Sequence, residues 1–114
     1  MLKKTYRLTK HGSFGFVYRK GENKASAMFS LFYVKSTSLK VGFSVSNKLG
    51  KATVRNKIKR RMRAVIKELM PLPKYQIVLV AKQPSSEASF WEMRSDIIRL
   101  LIKAGLVDEK KEAK

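Results

Sequence analysis

The sequence predicts a small α+β protein in which a short β-sheet packs with helices in the order α-β-β-α-β-α. Three patterns predict it: a strand-like alternation from Lys40 to Ser46, an apolar stripe at helical spacing from Val54 to Leu69, and a nearly continuous apolar run from Tyr75 to Lys82. With 114 residues, 44% of them hydrophobic, the chain is sized for one compact unit and holds enough apolar material for a core. Residues 1–114 are read as one domain, with flexible tails at about 1–7 and 108–114.

Thr9 precedes a segment from Lys10 to Arg19 with Phe14, Val17 and Tyr18 at helical spacing, and Gly21 follows as a stop, which places the first helix. Met28 to Lys35 is a β-type run with Phe29, Leu31 and Tyr33 on one face and Phe32 on the other; which face is core stays open until the register is known. Ser36-Thr37-Ser38 supplies a turn. In the next strand Val41, Phe43 and Val45 point one way and Gly42, Ser44 and Ser46 the other, so one face packs on a core while the other is small, polar and able to accept a ligand.

Asn47 to Lys51 is a loop, and the longest helix runs from about Ala52 to Met70, stopped by Pro71 and Pro73. Val54, Ile58, Met62, Val65 and Leu69 form its apolar stripe, while Asn56, Arg60, Arg63 and Lys67 repeat the same steps on the opposite side. Tyr75 to Lys82 is expected to be a strand covered on both faces. Ser89 with Glu92 offers a capping box for a last helix reaching Gly105, its core side made of Phe90, Met93, Ile97, Leu100, Leu101 and Ala104.

The charge is lopsided. Residues 1–67 hold 18 basic residues and one acid, Glu22, whereas residues 68–114 hold 8 basic and 7 acidic, so the net charge of +18 divides as +17 and +1. Between Asn23 and Lys67 there is no carboxylate, so this stretch cannot neutralise itself and must face water, counterions or phosphate. An anionic partner follows. Lys48, Lys51 and Arg55 gather where a glycine-containing loop meets a helix N-terminus, a place where the helix dipole disfavours cations unless an anion is present. With Lys57, Lys59, Arg60, Arg63 and Lys67 they make a basic helix, and Asn56 adds a donor and an acceptor.

Other chemistry is poorly supported. No cysteine means no disulfide framework and no thiolate metal site, as a reducing cytoplasm permits. His11, the only histidine, reads as a surface polar group, and no pair of carboxylates is set in a basic segment to hold two metals. Lys48 to Thr53 does not have the spacing of a phosphate-binding Walker loop. No apolar run is long enough to span a membrane, and no basic helix carries spare apolar residues for membrane insertion. A cytoplasmic nucleic-acid binder with no membrane and no obligate protein partner is the expectation.

The run Gly42-Phe-Ser-Val-Ser-Asn-Lys-Leu-Gly-Lys-Ala-Thr-Val-Arg-Asn-Lys-Ile-Lys-Arg-Arg-Met-Arg63 resembles the signature of the bacterial ribonuclease P protein subunit. The Phe14 to Tyr18 helix, the aromatic strand, the strand ending Val80-Ala81-Lys82 and the closing helix follow in that family's order, so the resemblance covers roughly Leu8 to Leu106. The family's Arg-Asn-Arg core reads Arg55-Asn56-Lys57, which keeps the charge but loses a guanidinium fork at the third position. The resemblance implies an α/β two-layer sandwich with a small mixed sheet and a left-handed βαβ crossover, where general rules favour a right-handed one. It also implies that a catalytic RNA, aided by Mg2+ held mainly by RNA and substrate, removes the 5′ leader of precursor tRNA. The protein would supply binding and no catalytic residue, using the basic helix for the RNA and a cleft for the leader. Phe14, Tyr18 and Phe32 are the expected cleft aromatics, since aromatic faces stack on bases of any identity; Phe16 is expected in the core. The alternative is a structural binder of ribosomal RNA, for which size and charge suffice equally.

Overall fold

The computed structural model describes residues 11–107, with side chains from residue 14 onward. The expected tails, the Thr9 cap and the His11 side chain lie outside the described residues. Helix α1 (His11–Lys20) leads into strands β1 (Glu22–Ala25), β2 (Phe29–Lys35) and β3 (Lys40–Val45), then α2 (Ala52–Leu69), β4 (Tyr75–Ala81) and α3 (Phe90–Lys103). Short 3-10 turns at Asn47–Leu49 and Gln83–Glu87 precede α2 and α3.

The six elements expected from sequence are all present in order, with one short strand, β1, added between α1 and β2. Its sequence, Glu-Asn-Lys-Ala, has no apolar alternation because all four residues are exposed; backbone pairing with β2 alone makes it a strand. The sheet order is β1-β2-β4-β3, antiparallel except for the parallel pair β3 and β4. The turn at Ser36 to Ser38 therefore does not make neighbours of the strands it joins. β4 enters between them, as its apolar run requires, and β3 connects to it through α2, the βαβ unit for which the family resemblance implies a left-handed crossover.

The register settles which faces are buried. Phe29, Leu31 and Tyr33 of β2, Val41 of β3 and Ile77 and Leu79 of β4 share one side, and there they meet Ile58, Met62, Val65, Ile66 and Leu69 of α2 and Met93, Ile97, Leu100 and Leu101 of α3. These side chains are essentially removed from water, and each buried one contributes on the order of 1.5–3 kcal/mol. Burial in this layer also pushes the Tyr33 phenol up. The opposite side has only a small core, Val17 of α1 on Val78 of β4, flanked by Phe14, Phe32, Val34 and Val80. Sheet, α2 and α3 thus form the two-layer sandwich, and α1 lies across part of the far face.

Carboxylates fasten α3. Glu68 of α2 takes a forked hydrogen bond from Arg94, whose Nε lies 3.0 Å from both carboxylate oxygens, and Asp96 accepts from the Ser26 hydroxyl. Arg61 donates to the Ala88 carbonyl at 3.1 Å. The capping box forms as expected: the Ser89 amide donates to Glu92 Oε1 at 2.9 Å and the Glu92 amide to Ser89 Oγ at 3.1 Å. The Ser89 backbone bond, and then its hydroxyl, hold the Glu92 carboxyl below its ordinary range. Its contribution is complete above the ordinary carboxylate pKa and is lost as the pH falls through the lowered value.

Two expected outcomes come from this packing. Ser89→Ala removes one side of the box and lowers stability by about 1 kcal/mol, a drop in melting temperature of about 4 °C; a thermal melt unchanged from wild type contradicts it. Gly42 sits under α1 because a Cβ there would lie 2.5 Å from Phe14 Cζ. Gly42→Ala therefore displaces the Phe14 ring, which a changed chemical shift of that ring in an otherwise native spectrum detects.

Candidate nucleic-acid interface

The basic residues expected to bind RNA are held on one frame. At the end of β3 the Ser46 hydroxyl accepts from the Lys48 amide at 3.2 Å, Leu49 is buried, and Gly50 adopts φ of +142°, a region favourable only to glycine. Arg55 Nε donates back to the Gly50 carbonyl at 3.2 Å, so this guanidinium also ties the loop to its helix. The loop is thereby fixed with Lys48 and Lys51 exposed. Lys51 is the N-cap of α2 and makes no side-chain cap, and the first turn carries no acid. The helix start offers uncapped amides beside three cations, an arrangement suited to phosphate.

Along α2, the side opposite the core presents Asn56, Lys57, Arg60 and Lys67 exposed, with Lys59 and Arg63 half-buried. The Arg63 guanidinium lies 5.9 Å from the centre of the Phe43 ring, which anchors it against the edge strand without neutralising it. Arg60, Arg63, Ala64, Lys67 and Glu68 border an open groove of about 550 Å3. All nine residues expected on this surface, Lys48 to Lys67, fall on one loop and one helix. Arg61, also in the run, is engaged by Ala88 and belongs to the fold.

The aromatic residues gather on the far face of the sheet. Tyr18 meets Phe32 edge-on with ring centroids 4.9 Å apart, and Phe14 lies over Gly42. Phe32 pairs in register with Val78, and Val78 with Gly42, so the three expected cleft residues line a path across β2, β4 and β3 under α1. Ser30, Val80 and Ser44, next along the three strands, continue this face half-buried toward the end from which the Lys48 loop departs. These floor residues are the part that sequence reasoning missed, although the alternation in β3 already marks Ser44 as their kind.

Phe16 corrects an expectation: it is 41% exposed, as exposed as Tyr18, and not in the core. Val17, fully buried, takes the position facing the sheet, and one helical step turns its neighbour outward. Among the described residues no three carboxylate, histidine or cysteine groups converge as a metal site, and no helix is long and apolar enough to cross a membrane.

Comparison with known proteins places this arrangement. The family model described as Ribonuclease P matches residues 2–105. The chain is 37% identical over 114 residues to the ribonuclease P protein component of Symbiobacterium thermophilum, covering 96% of this chain and 99% of that one. To the ribonuclease P protein component of Geobacillus sp. (strain WCH70) it is 35% identical over 109 residues, 91% of this chain and 94% of the relative. Among solved structures, a Staphylococcus aureus RNase P protein variant superimposes with a TM-score of 0.87 at 29% identity, covering 90% and 91% of the two chains. The Thermotoga maritima RNase P protein gives 0.76 at 27% identity, with 85% and 96% covered. With sequence and fold in agreement over nearly the whole length, the chain belongs to the ribonuclease P protein family, which gives it an RNA partner and a role in tRNA processing as the accessory subunit of an endoribonuclease.

Proposed function

We propose that this protein binds the catalytic RNA of ribonuclease P through the Lys48 to Lys67 surface and holds the 5′ leader of precursor tRNA in the cleft of Phe14, Tyr18 and Phe32. The observation that carries the reading is the placement of both surfaces on the two sides of one edge strand: Gly42 receives Phe14, and its neighbour Phe43 lies under Arg63. A strand of RNA leaving the cleft at the Ser44 end would meet Lys48, Lys51 and Arg55 directly.

The chemistry on each side matches its ligand. Lysines and arginines at the open N-terminus of α2 suit phosphate, and Asn56 beside Arg55 can hydrogen-bond a sugar or base edge. Aromatic rings on a floor of valine and serine stack on bases without reading their identity, as a leader of variable sequence requires. Hydrolysis is assigned to the RNA, with Mg2+ held by RNA and substrate; the protein's part is affinity and orientation. No step of the reaction is routed through a protein side chain.

The test is cleavage of a 5′-extended precursor tRNA at low magnesium with a bacterial ribonuclease P RNA alone, with the protein alone, and with both. Cleavage in the combined reaction only is expected; tight RNA binding without rescue would move the assignment to a structural RNA-binding protein. Assembly affinity should fall with salt at a log-log slope near about −5 for roughly six neutralised phosphates, and Arg60→Ala should reduce that slope by about one. A flat salt curve contradicts the basic surface. Tyr18→Ala should weaken binding of long-leader precursor by about 1–3 kcal/mol while sparing mature tRNA; equal losses for both remove Tyr18 from the leader site.

A further inference from the structure

Among the described residues, Phe16 has no packing role to explain it. Val17 fills the contact of α1 with the sheet, and Tyr18 and Phe14 turn toward Phe32 and Gly42. Two residues along a helix are separated by about 200°, so Phe16 lies on the flank of α1 opposite Tyr18. Yet it is a phenylalanine left 41% exposed. Its neighbours one turn on, at i+3 and i+4, are Arg19 and Lys20, both exposed. The Arg19 guanidinium reaches back over the preceding turn, where a Cβ at Gly15 would lie 3.3 Å from its Nη1. Cations in the last turn also suit the dipole of α1, so the ring carries the argument and the charges give it its sign.

Trp91 provides the contrast. It is more exposed, at 69%, but it borders a groove lined by two carboxylates, Glu92 and Asp96, against one guanidinium, Arg99, and Arg94, already bound to Glu68, lies 5.9 Å from its ring centre. Carboxylates there repel phosphate. The Phe16 flank has an aromatic face and two cations, with no acid anywhere in α1. That pairing fits an unpaired nucleotide, its base stacked on the ring and its phosphate near Arg19 or Lys20.

We propose that Phe16, with Arg19 and Lys20, forms a second stacking platform for one unpaired RNA nucleotide, on the flank of α1 turned away from the Tyr18 cleft. This rests on the chain working in a ribonucleoprotein, but not on the leader occupying the cleft. The nucleotide can come from the precursor's leader or from an unpaired segment of the catalytic RNA, and two binding measurements separate these sources.

Phe16→Ala, Phe16→Leu and Phe16→Tyr are assembled with a bacterial ribonuclease P RNA, and affinity is measured both for that RNA and, in the assembled particle, for long-leader precursor tRNA against mature tRNA. Alanine and leucine should each weaken one of the two affinities by about fivefold or more, while tyrosine keeps the wild-type value. Loss confined to long-leader precursor assigns the nucleotide to the leader; loss in assembly assigns it to the catalytic RNA. Wild-type affinities for the alanine variant in both measurements, or full retention by leucine, overturn the platform. Thermal melts equal to wild type confirm that the exposed position is structurally silent. Tyr18→Ala, measured alongside, keeps the two ideas apart: a neutral Tyr18 with a sensitive Phe16 removes the cleft reading and leaves the platform, and the reverse removes the platform alone.

Discussion

The parallel pairing of β3 with β4 is the constraint on which the rest depends. It brings an edge strand whose successive residues face opposite ways against a central strand buried on both sides. Val41 and Phe43 look toward α2 and the main core, while Gly42 and Ser44 look toward α1. Because α2 leaves from the end of this same strand, its basic side and the aromatic cleft are joined across one strand's thickness. A one-residue slip would exchange the two faces and destroy both surfaces, so the register is set by the core and inherited by the residues of both surfaces.

Much of this was legible in the sequence because the patterns that encode it are periodic. The α2 stripe of Val54, Ile58, Met62, Val65 and Leu69 is buried or packed on the core as its spacing requires, and the opposite side carries the charge. The Ser89 and Glu92 capping box needed no tertiary information either. β1 had no such signal: an exposed edge strand of four residues is defined by hydrogen bonds to β2, and nothing in Glu22 to Ala25 distinguishes it from loop. The insertion of β4 between β2 and β3 was hidden for a related reason. Strand pairing is a property of the sheet, and the turn at Ser36 to Ser38 reads the same whichever partner follows.

The candidate site was legible to the same degree. Basic residues on a helix face declare themselves by spacing, and all nine expected positions share that loop and helix. Aromatic residues do not, because phenylalanine serves a core and a stacking surface equally well. Alternation sets Phe32 apart from Phe29 and Leu31, but only the register with β4 shows which of the two faces is core, and Phe16 separates from Val17 only once the sheet fixes which side of α1 is inward. Gly42 is the informative exception. A glycine opposite Phe14 in a largely apolar strand pair marks where a helix approaches closely, and the structure places the Phe14 ring there.

The division of charge along the chain follows from what the acids do. Among the described residues, Glu68 binds Arg94, Glu92 caps α3 and Asp96 accepts from Ser26, so three carboxylates act inside the fold, all holding α3 in place. Of the three, Glu68 borders the groove of Arg60, Arg63 and Lys67 and is engaged there by Arg94, while Glu92 and Asp96 line a different groove beside Trp91. A carboxylate not engaged within the fold would, on the Lys48 to Lys67 surface, pair with the cations and compete with phosphate for them. Salt bridges at an exposed surface contribute little to stability, so omitting them there costs the fold little. What the omission leaves is a strongly positive surface whose repulsion an anionic polymer would relieve, and one of its cations, Arg55, also holds the loop to α2.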